Sequence, residues 1–257
     1  MVAGALLWYL RRHVSFFLVM GYLFYLEPFF AVFFRLWHCD HTRVLPMQNV
    51  WSQICTWVCR IRLLQLPNSA AVQTSPPTIL LGNHRGITDF FLHDCATNYT
   101  ANFLSRALVG VLFFPLYLIT WYENTVWFFV RGYVKANPER FYQWLDEQWK
   151  CGWNIRPNLL LYPEGHRSIG DQPLRLRTGM IRYAYNRKIP VQVFIDAGYD
   201  GALDERHFSV DFRLRIAPYK IDTPLDPAAY ESEAAFLAIV EKRFTALHAE
   251  VFQAAKA

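Results

Sequence analysis

The sequence places a histidine five residues before an aspartate, His84 and Asp89, in the stretch LLGNHRGITD at residues 80–89. The apolar residues before His84 predict a buried strand, and ligands of α/β proteins bind at the carboxyl ends of such strands. Asp89, in the first turn of a following helix, can accept the proton of one imidazole nitrogen and leave the other nitrogen free to deprotonate a hydroxyl. The pair therefore predicts a general base with an orienting partner. A histidine that caps the helix, beside an aspartate at the helix N-terminus, is the structural alternative.

A second stretch has the same construction, LLLYPEGHRS at residues 159–168, in which an apolar strand ends in a turn. Glu164 can accept hydrogen bonds from a polyol hydroxyl, and Arg167 offers a planar, permanent charge for a phosphate. Gly165 lets the backbone approach a ligand closely. An ordinary turn with a surface salt bridge is the alternative interpretation.

Together the two stretches resemble the first and third sequence blocks of the glycerolipid acyltransferase family, which includes the lysophosphatidate acyltransferases. The first block of that family reads Asn-His, four residues, Asp, and Asn83, His84 and Asp89 match it. The third block reads Phe-Pro-Glu-Gly-Thr-Arg-Ser. Here Tyr162 stands for the phenylalanine and His166 for the threonine, while the remaining five positions match: Pro163, Glu164, Gly165, Arg167 and Ser168.

Two further segments resemble this family. The stretch VWFFVR is similar to the second block, which ends in an arginine, here Arg131. The stretch LRLRTGM is similar to a basic segment that closes on a glycine, with Arg175, Arg177 and Gly179 as its candidates.

The resemblance implies a 1-acylglycerol-3-phosphate O-acyltransferase-like enzyme of phospholipid synthesis. Such an enzyme moves a fatty acyl group from acyl-CoA or acyl carrier protein to a lysophosphatidate-type acceptor, with His84 as base and Asp89 holding its ring. The implied substrate-binding residues are Arg131, Glu164, Gly165, Arg167 and Arg177, and the implied supporting residues are Asn83, Pro163, Ser168 and Gly179. No cofactor and no metal is implied.

Three alternatives to this function stay open. Glycerol 3-phosphate or another lysophospholipid could replace lysophosphatidate as the acceptor. A thioesterase would use water instead, but the arginines would then lack a clear purpose. A non-catalytic lipid-binding protein on the same scaffold belongs to a different class, and the presence of both His84 and Asp89 argues against it.

The composition predicts membrane contact and disfavours nucleic-acid binding. Hydrophobic residues make up 53% and charged residues 18%, more apolar than an average soluble domain. The net charge of +5 favours anionic headgroups or phosphorylated substrates. The basic residues are dispersed among aromatics rather than gathered in a run, which is not typical of nucleic-acid binding. The five cysteines contain no Cys-x-x-Cys pair, so they predict free thiols in a reducing compartment.

An apolar run at residues 14–26 resumes after Glu27-Pro28 at residues 29–34, roughly the length of a bilayer span. We expect a membrane-embedded helix or helical hairpin within residues 1–46, with the active site facing the cytosol. The membrane would be the endoplasmic reticulum in a eukaryote or the inner membrane in a bacterium. The motif HCDH at residues 38–41 matches no common closed zinc site and is expected at the membrane interface.

The rest of the chain predicts an α/β fold, with a mixed, mainly parallel sheet flanked by helices. Residues 47–66 have apolar positions at helical spacing, so 47–77 predict an amphipathic helix and a linker before a catalytic domain at 78–257. Residues 108–120 predict a core helix, with an acyl-chain channel and membrane-facing surface as the alternative. The predicted strands are 78–81, 101–104, 125–130, 158–162, 191–195 and 209–216, and the helices are 88–96, 138–150, 178–187 and 231–253.

Overall fold

A computed structural model describes residues 2–30, 33, 47–151, 156–168 and 170–256. Its strands are β1 Ile61–Gln65, β2 Ile79–Gly82, β3 Ala101–Arg106, β4 Val126–Phe129, β5 Asn158–Leu161, β6 Val191–Asp196, β7 Leu203–Asp204, β8 Ser209–Val210 and β9 Arg215–Ile221. Its α-helices are α1 Val2–Gly21, α2 Met47–Val58, α3 Asp89–Ala96, α4 Ala107–Leu112, α5 Phe114–Glu123, α6 Arg131–Ala136, α7 Pro138–Lys150, α8 Gly179–Arg187 and α9 Glu233–Ala254.

Seven of these strands form one sheet in the order β1-β9-β6-β2-β5-β3-β4. The run from β6 to β4 is parallel, whereas β9 is antiparallel to β6 and carries β1 parallel to itself. The predicted mixed, mainly parallel sheet is therefore confirmed. Central parallel strands are covered on both faces, which explains why β2 and β5 are buried at every position.

The two faces of the sheet carry different helices because successive strand residues point to opposite sides. Ile79 and Leu81 pack with α7, α8 and α9, in the core that contains Phe141, Ile181 and Phe236. Leu80 lies on the other face with Phe103, and the core of α1, α2 and α3 is on this side of the sheet. The edge of the sheet from which His84 projects is therefore held between two packed layers.

The N-terminal helix continues through Pro28 to residue 30, with a π-helical turn at Tyr22–Leu26 just before the proline. A proline has no N–H to give to the preceding turn, and a π-helical turn accommodates that loss. Among the described residues, Tyr9–Phe30 is long and apolar enough to cross a membrane by length and composition, which is weak evidence for a span. The second half of the predicted hairpin, with Cys39 and the HCDH motif, lies almost entirely outside the described residues.

Two predicted elements are wrong at their ends. The helix predicted over 47–66 ends at Val58, and Ile61–Gln65 forms the edge strand β1 after Arg60 turns with a positive φ of 52°. The strand predicted over 209–216 is split between β8, which pairs with β7, and β9, which pairs with β1 and β6. Segment 47–77 thus supplies a strand to the same sheet as 78–257, and the domain division stays a prediction.

The apolar segment predicted as a core helix forms two short helices, α4 and α5. Leu116 and Ile119 of α5 are buried. By contrast, Leu108 and Val111 of α4 are 65% and 73% exposed. The core interpretation therefore holds only for the inner side of α5, and the outer side fits the alternative of a surface that faces a lipid phase. The other predicted strands and helices lie within two residues or so of their observed bounds.

Candidate active site

The carboxyl ends of the parallel strands open into one large cavity of about 1290 Å³. Its lining combines two kinds of chemistry. One part is cationic and titratable, with His84 and a set of arginines after β2, β3, β4 and β5. The other part is apolar and comes from α1 and the π-helical turn after it, from α4, α5 and the residue between them, and from neighbouring strands. Examples are Phe24, Phe113, Leu116 and Phe128. The cavity can therefore hold a molecule that has an anionic head and a hydrocarbon chain.

His84 is held at the edge of this cavity by Asp89. Its Nδ1 lies 2.6 Å from the Asp89 Oδ2. The His84 side chain is 22% exposed, whereas the Asp89 side chain is fully buried. A hydrogen bond at Nδ1 fixes the tautomer in which Nε2 is unprotonated and able to accept a proton. The structure thus brings the two predicted catalytic residues into the arrangement that a general base requires.

Asp89 is surrounded by donors that stabilise its ionised form. Arg85 N donates at 2.6 Å, Gly86 N at 3.1 Å and the Tyr199 hydroxyl at 2.9 Å. Burial favours the neutral acid, but the His84 hydrogen bond, the charges of His84 and His93 and the Gly86 amide outweigh it and lower the Asp89 pKa. Asp89 is therefore a carboxylate at neutral pH, although water does not reach it.

Tyr162 forms the floor of the site. Its ring stacks on the His84 ring with centroids 4.3 Å apart and an angle of 11° between the planes. Stacking of this kind limits rotation of the imidazole and keeps Nδ1 on Asp89. Tyr162 is where the sequence departs from the phenylalanine of the third block, and among the described residues its buried hydroxyl has no hydrogen-bond partner.

Backbone hydrogen bonds join the two motifs to each other and to the segment that carries Arg177. Ser168 N donates to the His84 carbonyl oxygen at 2.7 Å, and Arg177 N donates to the Pro163 carbonyl oxygen at the same distance. The Ser168 hydroxyl donates to the Gln172 carbonyl oxygen at 3.1 Å and closes the loop. Of the predicted supporting residues, Ser168 thus joins the two loops, and Pro163 joins the second loop to the segment that carries Arg177.

Gly165 leaves space for the Arg177 side chain, as well as for the close approach of a ligand. Its φ is +68°, and a Cβ there would lie 2.1 Å from the Arg177 Nε. Arg177 Nε instead lies over the turn, 3.4 Å from the Glu164 carbonyl oxygen. The absent side chain therefore makes room for an arginine that lines the cavity.

Glu164 is placed differently from the other predicted binding residues. Its side chain is 2% exposed, and its Oε1 accepts the Leu174 N–H at 3.4 Å. Burial raises the Glu164 pKa to about 7, although the backbone N–H groups of Leu174 and His84 and the Arg85 charge oppose the change. The carboxyl group lies beneath the turn rather than among the residues that line the cavity, so its visible contact is with the 164–174 loop.

Three predicted arginines line the cavity: Arg131 after β4, Arg167 after β5, and Arg177 before α8. Arg167 is held by an ion pair with Glu205 of the β7–β8 hairpin. The exposed His166 lies near the same positive charges. Its pKa is lowered by desolvation first and then by the charges of Arg177, Arg106 and Arg131. Of the other candidates, Gly179 lies at the start of α8 on the cavity wall, and Arg175 is exposed to solvent outside the cavity lining.

Arg106 was missed by the sequence analysis. It ends β3, lines the cavity, and donates from Nη2 to the Gly165 carbonyl oxygen at 3.1 Å. The signal that identifies it is the one that marked Arg131, a cation at the carboxyl end of a predicted buried strand. The sequence does not show that β3 neighbours β5, and this adjacency brings Arg106 to the turn.

Asn83 has a role in the sheet rather than toward the cavity. Its side-chain amide donates to the Asp196 carbonyl oxygen at 2.9 Å and accepts the Asp196 N–H at 3.0 Å. These two hydrogen bonds join the ends of β2 and β6 and fix the backbone from which His84 projects. Among the residues that the structure describes, no group of three or more His, Cys, Asp or Glu side chains is placed to hold a metal ion.

Comparison with solved structures gives an informative likeness in fold. No protein-family model matches the chain, and no curated protein sequence matches it significantly. The solved structure of the 1-acyl-sn-glycerophosphate (LPA) acyltransferase PlsC from Thermotoga maritima matches with a TM-score of 0.68 and 17% sequence identity. The match covers 95% of this chain and 96% of that one. The chain therefore has the α/β fold of this bacterial acyltransferase over nearly its whole length.

Proposed function

We propose that the protein is an acyltransferase that moves a fatty acyl group from a thioester to the free hydroxyl of a lysophosphatidate-type acceptor. The observation that carries the proposal is the His84–Asp89 pair at the edge of a cavity that is cationic at one end and apolar at the other. The shared fold with an LPA acyltransferase supports it.

In the reaction, the acceptor hydroxyl oxygen attacks the thioester carbonyl carbon while its proton passes to His84 Nε2. An ester C–O bond forms and the C–S bond breaks. His84 then returns the proton to the departing thiolate, so the enzyme ends in its starting state. Asp89 stabilises the imidazolium between these two steps and keeps Nδ1 protonated throughout.

The arginines position the acceptor. A glycerol phosphate whose phosphate lies among Arg131, Arg167 and Arg177 is held by permanently charged donors in the same cavity as His84. Such positioning converts an encounter into a reactive geometry and supplies a large part of the rate. Arg106 belongs to this group, since it contacts the same turn.

Two features of the surroundings suit lipid substrates. The apolar part of the cavity offers a place for hydrocarbon beside the phosphate-binding end. Exposed apolar residues of α1, α4 and α5 surround its outer side, with Phe17, Leu112 and Phe114 as examples. We further propose that this side rests on a membrane, with the site facing the cytosol at the endoplasmic reticulum or the bacterial inner membrane.

The test is acyl transfer from labelled acyl-CoA, and separately from acyl carrier protein, by the detergent-solubilised protein. Lysophosphatidate, glycerol 3-phosphate and lysophosphatidylcholine are compared as acceptors, each with the wild type and with His84→Ala. Transfer to lysophosphatidate that is lost in the variant supports both the reaction and the base. Transfer that persists in the variant refutes the role of His84. A wild-type protein that binds lysophospholipid but transfers nothing favours the lipid-binding alternative.

A further inference from the structure

A second histidine–aspartate pair lies behind the first and is connected to it by one tyrosine. His93 Nε2 lies 3.0 Å from the Asp196 Oδ1, and both side chains are fully buried. The Tyr199 hydroxyl lies 2.9 Å from the Asp89 Oδ1 and 2.9 Å from the Asp196 Oδ1. A buried row of polar groups therefore runs inward from the cavity, past the carboxyl end of β6, to His93 on α3. Its order is His84, Asp89, Tyr199, Asp196, His93.

The turn after β6 positions the Tyr199 hydroxyl between Asp89 and Asp196. Gly198 has a φ of +87°, and a Cβ there would lie 2.7 Å from the Ile216 carbonyl oxygen of β9. The next residue along the chain, Asp200, accepts from Arg85 Nε at 3.1 Å and from Arg85 Nη2 at 2.7 Å. The loop that carries Tyr199 is thus tied to the loop that carries His84, which gives the hydroxyl little freedom to move.

The number of hydrogens available to these groups limits which of the two carboxyl groups can be ionised. A tyrosine hydroxyl donates one hydrogen, yet two carboxyl oxygens lie at hydrogen-bond distance from it. The tyrosine hydrogen can lie between only one of these two pairs of oxygens, so the other pair needs a second hydrogen between its two oxygens, and a hydrogen on His93 Nε2 does not lie there. Asp89 already accepts from His84 and from two backbone N–H groups, which suits an ion. Asp196 has an Oδ2 that is buried without a partner among the described residues, which suits a neutral acid.

We propose that Tyr199 is a positioning residue of the acyl transfer, donating its only hydrogen to Asp89 while a neutral Asp196 donates to the tyrosine oxygen. All hydrogens on the row then point toward Asp89, which keeps that carboxylate ionised and aimed at His84. The inference rests on the proposed function, because it concerns the same base. It also concerns a residue that lies outside both sequence motifs.

The electrostatic surroundings agree with this assignment. Burial, followed by the charge of Asp89, raises the Asp196 pKa against the opposing effects of His93 and Tyr199. Although burial opposes the change, the charge and hydrogen bond of Asp196 raise the His93 pKa as well. The two partners therefore favour opposite sites for the proton, and the short contact between Tyr199 and Asp196 decides for the carboxyl. The other titratable or charged groups that act on Asp89 from the neighbouring elements are His84, Arg85, His93, Tyr162 and Glu164. Arg85 directs its guanidinium to Asp200 and to the Gly170 carbonyl oxygen, so it does not replace Tyr199 as a donor to Asp89.

The first variant is Tyr199→Phe, which removes the donor and keeps the ring. The His84–Asp89 pair carries one negative charge when His84 is neutral and no net charge when His84 is protonated. Loss of a donor penalises the charged state, so protonation is favoured and the acidic limb of the kcat/KM profile moves to higher pH, by about one unit. At a pH below both limbs, kcat/KM falls about tenfold relative to the wild type. A purely structural role would lower activity without moving the limb.

The matched control is Tyr183→Phe. The Tyr183 hydroxyl also donates to a carboxylate, Asp146 Oδ1 at 2.7 Å, but on α8 and α7 and away from the His84 loop. The acidic limb should stay at the wild-type pH in this variant. Thermal unfolding of both variants shows whether either loses the fold.

Asp196→Asn tests the second hydrogen. An asparagine reproduces a neutral acid that donates to the Tyr199 oxygen, so the acidic limb should not move. If Asp196 were ionised, the substitution would remove a negative charge beside the site and move the limb to lower pH. A downward move, or a Tyr199→Phe limb that coincides with the wild type, overturns the proposal.

A second measurement keeps this test separate from that of the function. The titration of the His84 ring can be followed by NMR in histidine-labelled protein, with the His84→Ala variant giving the assignment. Tyr199→Phe should move that titration to higher pH whether or not any acceptor is acylated. A protein that transfers no acyl group but shows this displacement loses the proposed function and keeps the positioning role. If the protein transfers the acyl group but Tyr199→Phe leaves the His84 titration where it was, the proposed function stands and the positioning role of Tyr199 is refuted.

Discussion

The His84–Asp89 and His93–Asp196 pairs use the same two side chains in different surroundings. In the first pair the imidazole is 22% exposed and lines the cavity. In the second, both groups are fully buried, and the ring packs against Phe194 and Tyr162. A third pair, His207–Asp204, lies on the surface with its histidine 77% exposed.

The difference shows that residue type alone does not make a general base. A base must reach a substrate with one nitrogen while the other is held, and the structure offers this only at His84 among these three pairs. The His93 ring is out of reach of any cavity molecule, so its contribution is to packing and to the buried row. The surface pair is screened by water and contributes little to either.

Substitution of the cavity-facing histidine should have the largest effect. His84→Ala should lower kcat/KM for acyl transfer by about 10²–10⁴-fold, because the acceptor hydroxyl loses its base. The free energy of unfolding should fall less than in the His93→Ala variant, because Asp89 keeps its donors Arg85 N, Gly86 N and the Tyr199 hydroxyl when His84 is removed. Steady-state transfer and thermal unfolding measure the two quantities. A large loss of stability with retained activity would reverse the comparison between the pairs.

The buried histidine should show the opposite pattern. His93→Ala leaves a cavity beside Phe194 and takes the partner from Asp196, so the free energy of unfolding should fall by about 2–4 kcal/mol. Denaturant unfolding measures this effect. His207→Ala is the matched control and should unfold close to the wild type, because its pair is exposed. Equal stability of the two variants would contradict the assigned difference.

Gly165→Ala should affect stability and acceptor binding together. The positive φ costs a β-carbon about 1–2 kcal/mol, and the new methyl group displaces Arg177 from the turn. We expect a higher KM for the phosphate-bearing acceptor with a smaller change in kcat. Gly132→Ala is the control, since no atom lies within 4 Å of a Cβ at that position. An unchanged KM in Gly165→Ala would argue against Arg177 as a phosphate ligand.

The last effect concerns stability and not activity, and it comes from Glu164, a buried carboxyl whose pKa is raised to about 7, in contrast to the lowered pKa of Asp89. The folded state binds a proton that the unfolded chain releases near pH 4.5, so wild-type stability falls as the pH rises from 4.5 to 7. Glu164→Gln removes this loss. Its melting temperature relative to wild type should therefore increase across that interval, by about 2–4 °C for each kcal/mol recovered.

Thermal unfolding at several pH values measures the Glu164→Gln effect. Glu139→Gln, whose side chain is 70% exposed, is the control and should show no such pH dependence. A constant difference between Glu164→Gln and wild type at all pH values would mean that the Glu164 pKa is the same in the folded and unfolded states.

Several features of the fold could be predicted from the sequence because they depend on near neighbours. The strands that end in His84 and Tyr162 are short apolar runs followed by turn residues, and the helix at Pro138–Lys150 begins at a proline. His84 and Asp89 meet because the end of a strand and the first turn of the next helix always lie close together. Local patterns carry this information directly.

The same patterns failed where the partner is distant in sequence. The apolar positions at 61–65 suit an amphipathic helix as well as an edge strand, and only pairing with β9, some 150 residues later, selects the strand. At 209–216, one alternating run was divided because its two ends pair with different strands. Periodicity shows which face is apolar, but not which element covers it.

The sequence by itself determined the chemistry of the site: a histidine with its carboxylate, and a turn that carries arginine. Only the tertiary structure decided which groups complete it. Arg106 reaches the turn because β3 neighbours β5, and Tyr199 reaches Asp89 because β6 neighbours β2. Strand order is set by how the whole sheet buries its apolar surface, and no local stretch of sequence encodes that order.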